Sequence, residues 1–246
     1  MDAAAAVIPA RWGSTRFPGK PLALLAGKPM IVHVCERVRR CRRVSRLLVA
    51  TDDERIAAAA RAIGVDAVMT RADHPNGTSR IAEAAARLTE PLVVNVQGDE
   101  PAVEPELVDA AVAALQTAPP EVPMSTLASP FAPGEDPANP NLVKVVRRVD
   151  GTALYFSRSL IPHARDAGTP EAAPLKHVGI YVYRREFLPR FVALPATPLE
   201  RTEQLEQLRV LEHGFRIAVA IGTARYHGVD TPEQLAALEA KLSRGG

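Results

Sequence analysis

Through the first hundred residues, short apolar segments alternate with stretches of helical period. Each apolar segment ends in a polar cluster. The apolar segments are 4–8, 47–50, 65–69 and 92–96, and each is the length of a strand. Between them, residues 30–40 place Ile31, Val34, Cys35 and Val38 on one face. Residues 54–63 form a second helix stopped by Gly64, and 79–88 a third with Thr78 or Ser79 as cap. A fourth helix covers 106–115. Segment 92–96 is apolar on both faces, as a central parallel strand is. A strand–helix–strand rhythm of this kind predicts an α/β fold, a doubly wound and mostly parallel sheet with right-handed crossovers.

The second half reads differently. Residues 142–149 and 152–156 flank Asp150-Gly151, a hairpin signal. Pro119 to Pro140 and Pro162 to Pro174 read as loops. Residues 176–183 alternate as a strand does, and 216–221 form a further strand. Helices are expected at 186–191 and 204–212, the latter ended by Gly214. A last helix starts at Thr231-Pro232. The 246 residues, 47% hydrophobic, suit one large domain with a smaller inserted part at about 123–200.

Thirty lysines and arginines stand against 28 acids, so the net charge is +2. That balance argues against nucleic acid or an anionic membrane as partner, and any anion site must be local. Cys35 and Cys41 are read as lying in one helix on different faces, which disfavours a disulfide between them. With no metal-type cysteine spacing, a reducing cytoplasm is expected. The N-terminal segment lacks a basic start and reads as a strand rather than a signal peptide. No apolar run approaches membrane-spanning length.

The local anion site is the loop after the first strand. Arg11, Arg16 and Lys20 stand among Gly13, Ser14, Thr15 and Gly19. Small residues expose backbone N–H groups, and with cations these bind phosphate. The spelling is neither G-x-x-x-x-G-K-[ST] nor G-x-G-x-x-G, which disfavours a Walker ATPase and a dinucleotide dehydrogenase. Ligands of open α/β sheets bind beyond the carboxyl ends of strands, where this chain keeps its polar clusters. Asp99 there is either a divalent-metal ligand or a turn residue. Asp230 is either a second ligand or part of the following helix start. Arg80 is either a ligand contact or a surface arginine, and Arg158 pairs with an internal acid or an anionic substrate. His177 is either a site residue or a hydrogen-bonded structural histidine.

Ile8-Pro9-Ala10-Arg11, followed by Ser14-Thr15-Arg16-Phe17-Pro18-Gly19-Lys20-Pro21, resembles the opening of the sugar-acid cytidylyltransferases. Val94-Asn95-Val96-Gln97-Gly98-Asp99-Glu100-Pro101 and Gly228-Val229-Asp230-Thr231-Pro232 extend the likeness, as do the stretches 30–34, 49–52, 69–74, 142–146, 153–158, 177–181 and 205–209. The match is strongest to the 3-deoxy-manno-octulosonate (Kdo) cytidylyltransferases and covers nearly the whole chain. The resemblance implies a nucleotide-diphospho-sugar transferase fold, with the inserted part used in a homodimer. It implies transfer of CMP from CTP to Kdo, with pyrophosphate released, for lipopolysaccharide biosynthesis. An 8-amino-Kdo or sialic acid acceptor is the alternative within that chemistry, and a nucleotide-binding module without turnover the alternative outside it.

By the same resemblance, Arg11, Ser14, Arg16 and Lys20 hold the triphosphate, with Arg16 and Lys20 catalytic alongside Asp99 and Asp230. Those two aspartates hold Mg2+. Pro9, Ala10, Arg71, Gly77 and Arg80 surround the cytidine. Gln97, Arg158, His177, Tyr181, Glu206 and Gln207 face the sugar acid. The chain departs from the family pattern at Trp12-Gly13, where a tyrosine and a small residue are expected. It departs again at Ser79, where an acid is usual.

Overall fold

The computed structural model describes residues 3–13, 17–166, 172–224 and 228–244. They form two compact units, one of residues up to 109 together with the C-terminal segment, the other of residues 110–224.

The first unit is built on four parallel strands in the order β6-β1-β4-β5: β1 (Ala4–Ala10), β4 (Val44–Thr51), β5 (Asp66–Met69) and β6 (Leu92–Asn95). Every residue of β1 and β6 is buried, which explains their unbroken apolar spelling. A small hairpin, β2 (Leu24–Leu25) and β3 (Lys28–Pro29), leads into α1 (Met30–Val38). Next come α2 (Glu54–Ala62) and α3 (Gly77–Ala85). The cap of α3 is Asn76, whose Oδ1 accepts from the Ser79 N–H at 2.9 Å, so the helix begins two residues earlier than the sequence predicts. Because α1 stops at Val38, Cys41 lies outside that helix; both cysteines are free and buried. The last helix, α8 (Pro232–Arg244), packs Leu235 and Leu238 with Val229 against Leu25, Met30 and Phe17. This cluster anchors the segment carrying Asp230.

The boundary between units falls within α4 (Pro105–Thr117). The second unit centres on β7 (Met124–Pro130), flanked by antiparallel β10 (Leu175–Arg184) and parallel β11 (Ile217–Ile221). The hairpin of β8 (Lys144–Arg147) and β9 (Ala153–Ser157) joins through β8 to β10, with Gly151 at φ +84 in its turn. Helices α5 (Phe187–Ala193), α6 (Pro198–Glu203) and α7 (Glu206–Glu212) complete it. The expected loop from Pro119 to Pro140 therefore contains a strand. β7 carries Ser125 and Thr126 in fully buried positions, and their hydroxyls bond the Ala111 and Ile180 carbonyls at 2.7 and 2.8 Å. Internal partners make these polar residues compatible with a core strand.

Candidate active site

The carboxyl ends of β1 and β6 converge with the start of α3 around Pro9. A Cβ on Gly98 would stand 2.9 Å from the Pro9 carbonyl oxygen, and one on Gly77 3.4 Å from the Pro9 ring. Glycine at both positions permits this close approach. The result is a cavity of about 250 Å³. Pro9, Ala10 and Arg11 line it from β1 and the following loop, and Gly77 and Arg80 from α3. Gln97 and Asp99 enter after β6, Lys20 from the loop, and Asp230 ahead of α8. His74, Asn76, Gly98 and Pro21 also line it without a role expected from the sequence, although Asn76, Gly98 and Pro21 each adjoin a residue that was singled out there. Ser14 and Arg16 lie outside the described residues.

Charge in the cavity is organised around Lys20. Its Nζ donates to Asp99 Oδ2 at 2.7 Å and to Asp230 Oδ1 at 3.2 Å, bringing together residues 210 positions apart. At the start of α8 the Gln234 N–H donates to Thr231 Oγ1 at 3.3 Å, and the Asp230 N–H donates to Gln234 Oε1 at 2.6 Å. Glu100 beside them is pushed up to about 8, first by burial and then by the charges of Asp99, Glu104 and Asp230, with Lys20 opposing. Negative charge is thus in excess over the lysine.

Arg80 is 2% exposed and held from two sides: it donates to Thr70 Oγ1 at 2.5 Å and to Asp52 Oδ2 at 3.0 Å. His74 has both ring nitrogens engaged, Nδ1 with Ser79 Oγ at 3.2 Å and Nε2 with Glu83 Oε2 at 2.5 Å. Ser79, the departure from the family pattern, therefore serves to hold His74. Arg71 is not in the cavity lining; its guanidinium meets Asp73 at 3.1 Å on the surface.

The remaining singled-out residues belong to the second unit. Thr126 donates to the Ile180 carbonyl, so its oxygen accepts from His177 Nε2 at 2.9 Å. That leaves His177 Nδ1 as an acceptor. Desolvation among Phe156 and Tyr181 pushes His177 down to about 3, so it stays neutral. The Tyr181 hydroxyl donates to Gln207 Oε1 at 3.2 Å, while Gln207 Nε2 is buried with no partner among the described residues. Arg158 turns to carbonyls: Nε donates to Glu203 O at 2.7 Å and Nη1 to Pro140 O at 3.1 Å. Glu206 opens α7.

A strand-end cavity with loop cations and paired carboxylates has the chemistry that nucleotidyl transfer needs, and the cytidylyltransferase family model matches residues 5–217. A 3-deoxy-manno-octulosonate cytidylyltransferase of Syntrophotalea carbinolica is 49% identical over 244 residues, covering 96% of this chain and 97% of that one. One from Geobacter metallireducens is 51% identical over 248 residues, covering 97% of each. A CMP:2-keto-3-deoxy-manno-octonic acid synthetase solved with CTP superposes with a TM-score of 0.92 at 43% identity, over 98% of this chain and 99% of the other. The chain belongs to the 3-deoxy-manno-octulosonate cytidylyltransferase family. A 4-diphosphocytidyl-2C-methyl-D-erythritol synthase from Anaerococcus prevotii, 14% identical with a TM-score of 0.66, shares the fold.

Proposed function

We propose that this chain transfers the CMP moiety of CTP to the anomeric hydroxyl of Kdo, releasing pyrophosphate, as a step toward lipopolysaccharide. The observation that carries the site assignment is the Lys20 ammonium held between Asp99 and Asp230 at 2.7 and 3.2 Å.

The hydroxyl oxygen attacks the α-phosphorus, and the bond to the bridging oxygen of pyrophosphate breaks in line. The reactants carry many negative charges, so neutralising and positioning them dominates the barrier. Lys20 and Arg11 supply positive charge in the cavity, and Arg16 is assigned with them by the family motif. Pro9, Ala10, Gly77 and Arg80 receive the cytidine, Arg80 held in place by Asp52 and Thr70. Arg71 keeps its assignment beside the cytidine only on the strength of the motif.

Two carboxylates converging on one cation, beside a Glu100 carboxyl that burial and the neighbouring acids favour in its neutral form, are a donor set that fits a divalent ion. Asp99 and Asp230 would hold Mg2+, which supplies charge neutralisation on the triphosphate. With both nitrogens of His74 engaged, the described cavity residues offer no free imidazole base. For the sugar acid, the reading keeps Gln97, Arg158, His177, Tyr181, Glu206 and Gln207. The buried, unpaired Nε2 of Gln207 supports it, because a ligand oxygen would satisfy that donor.

We further assign the chain to the cytoplasm and to a homodimer. Free buried thiols suit a reducing compartment. Leu154, Leu160 and Leu199 of the second unit are 40–50% exposed, apolar surface that a second copy would cover. Light scattering at twice the chain mass is the expected result; a monomer at micromolar concentration would refute the dimer. The catalytic reading is tested by pyrophosphate release with CTP, Mg2+ and a panel of Kdo, 8-amino-Kdo and sialic acid. Kdo is expected to be the preferred acceptor, and the absence of turnover with every acceptor would refute it.

A further inference from the structure

The chain has one tryptophan, Trp12, and it sits at the head of the anion-binding loop, 36% exposed. Its indole is covered on both faces. On one face lies Gly19, so close that a Cβ built there would stand 2.8 Å from Cη2 of the ring. On the other lies the Arg55 guanidinium, its Cζ 3.4 Å from the ring centroid. Gly19 adopts φ +71 and donates its N–H to the Trp12 carbonyl at 3.1 Å. The stack therefore ties residue 12 directly to residue 19.

Arg55 is in turn fixed to the sheet. Its Nε and Nη2 donate to the two oxygens of Asp53 at 3.0 and 2.6 Å. Asp53 caps α2 through the Arg55 N–H at 2.9 Å, and its own N–H donates to Thr51 Oγ1 at the end of β4. The residues on either side of the closed loop are Arg11 and Lys20, the two loop cations that line the cavity.

We infer that Trp12, clamped between Gly19 and Arg55, is a positioning residue that sets the spacing of Arg11 and Lys20 before the nucleotide arrives. Without the clamp, the spacing of Arg11 and Lys20 would be set only on binding, and that cost would fall on the triphosphate. An aromatic ring is required rather than a merely apolar side chain, because one face must lie flat on glycine and the other must accept a guanidinium. The inference rests on CTP as the nucleotide.

The test measures CTP affinity by calorimetry with Mg2+ and no acceptor, then the KM for CTP and for Kdo. Trp12→Ala should raise the CTP Kd and KM about tenfold, with the Kdo KM within about twofold, and Trp12→Phe should return CTP binding to within about threefold of the parent. Arg55→Met, a change at an exposed side chain that leaves the fold intact, should weaken CTP about two- to fivefold. Unchanged CTP affinity in Arg55→Met and Trp12→Ala, equal losses for CTP and Kdo, or a Phe variant no better than Ala would each overturn the clamp. A parent protein that binds no CTP overturns the nucleotide reading and the clamp together; a parent that binds CTP beside unaffected variants overturns the clamp alone.

Discussion

Lys20 joins three distant parts of the chain through one ammonium, and the same geometry makes it and Asp99 the most informative positions to change. Asp99→Asn keeps the shape of the side chain and removes its charge. Turnover should fall at least about 100-fold while the circular dichroism spectrum stays unchanged, since removing one preorganised electrostatic group costs roughly 10²–10³ in rate. Near-normal turnover would remove Asp99 from the machinery. Lys20→Ala should lower kcat more than it raises the KM for CTP; a rise in KM at constant kcat would make Lys20 a capture residue only. His177 offers a test through pH. Its folded-state value, about 3, lies below the ordinary value of 6.5, so the unfolded chain binds the proton first as pH falls. The stability it contributes is complete above pH 6.5 and is lost as pH drops toward 3. The stability of a His177→Gln variant should therefore fall less steeply over that window than the parent's. Parallel thermal-denaturation profiles for the two proteins would contradict the assignment of a neutral imidazole.

At the level of elements, the parallel core was legible because β1 and β6 are buried throughout and spelled accordingly. β7 was not. Its bordering prolines, Pro123 and Pro130, and its hydroxyl residues read as loop, and only the tertiary partners of Ser125, Thr126 and Ser129 make it a core strand. α6 was hidden for a related reason. It is a short helix fixed by the Glu200 carboxylate, which accepts from the Thr197 N–H at 3.2 Å and pairs with Arg209 one helix later. In the site, the sequence placed the strand-end clusters but not the cross-chain bond from Lys20 to Asp230, because pairing over that separation follows from the fold. Nor could it show that Arg158 turns to the Glu203 and Pro140 carbonyls. The joint between β1 and the exit of β6 yields its own prediction. Gly98→Ala places a methyl group against the Pro9 carbonyl and should destabilise by about 1–3 kcal/mol, the usual cost of overpacking. Urea denaturation measures it, and an unshifted midpoint would mean the backbone gives way freely.

Over the whole molecule, the near-neutral charge of +2 means that the proposed anion recognition must come from local clusters such as the loop ending at Lys20. Both thiols are pushed up to about 12, chiefly by desolvation. The native protein should therefore resist alkylation at pH 8 while the denatured chain labels at both cysteines; fast labelling of the native protein, read by mass, would contradict their burial. Among the described residues, no helix is long and apolar enough to cross a membrane. The central claim is that Asp99, Asp230 and Lys20 organise CMP transfer from CTP to Kdo. It is tested most directly by following pyrophosphate and CMP-Kdo together, in the parent protein and in Asp99→Asn. The account predicts equal amounts of both products from the parent and almost none from the variant; pyrophosphate without CMP-Kdo, or equal turnover by the two proteins, would contradict it.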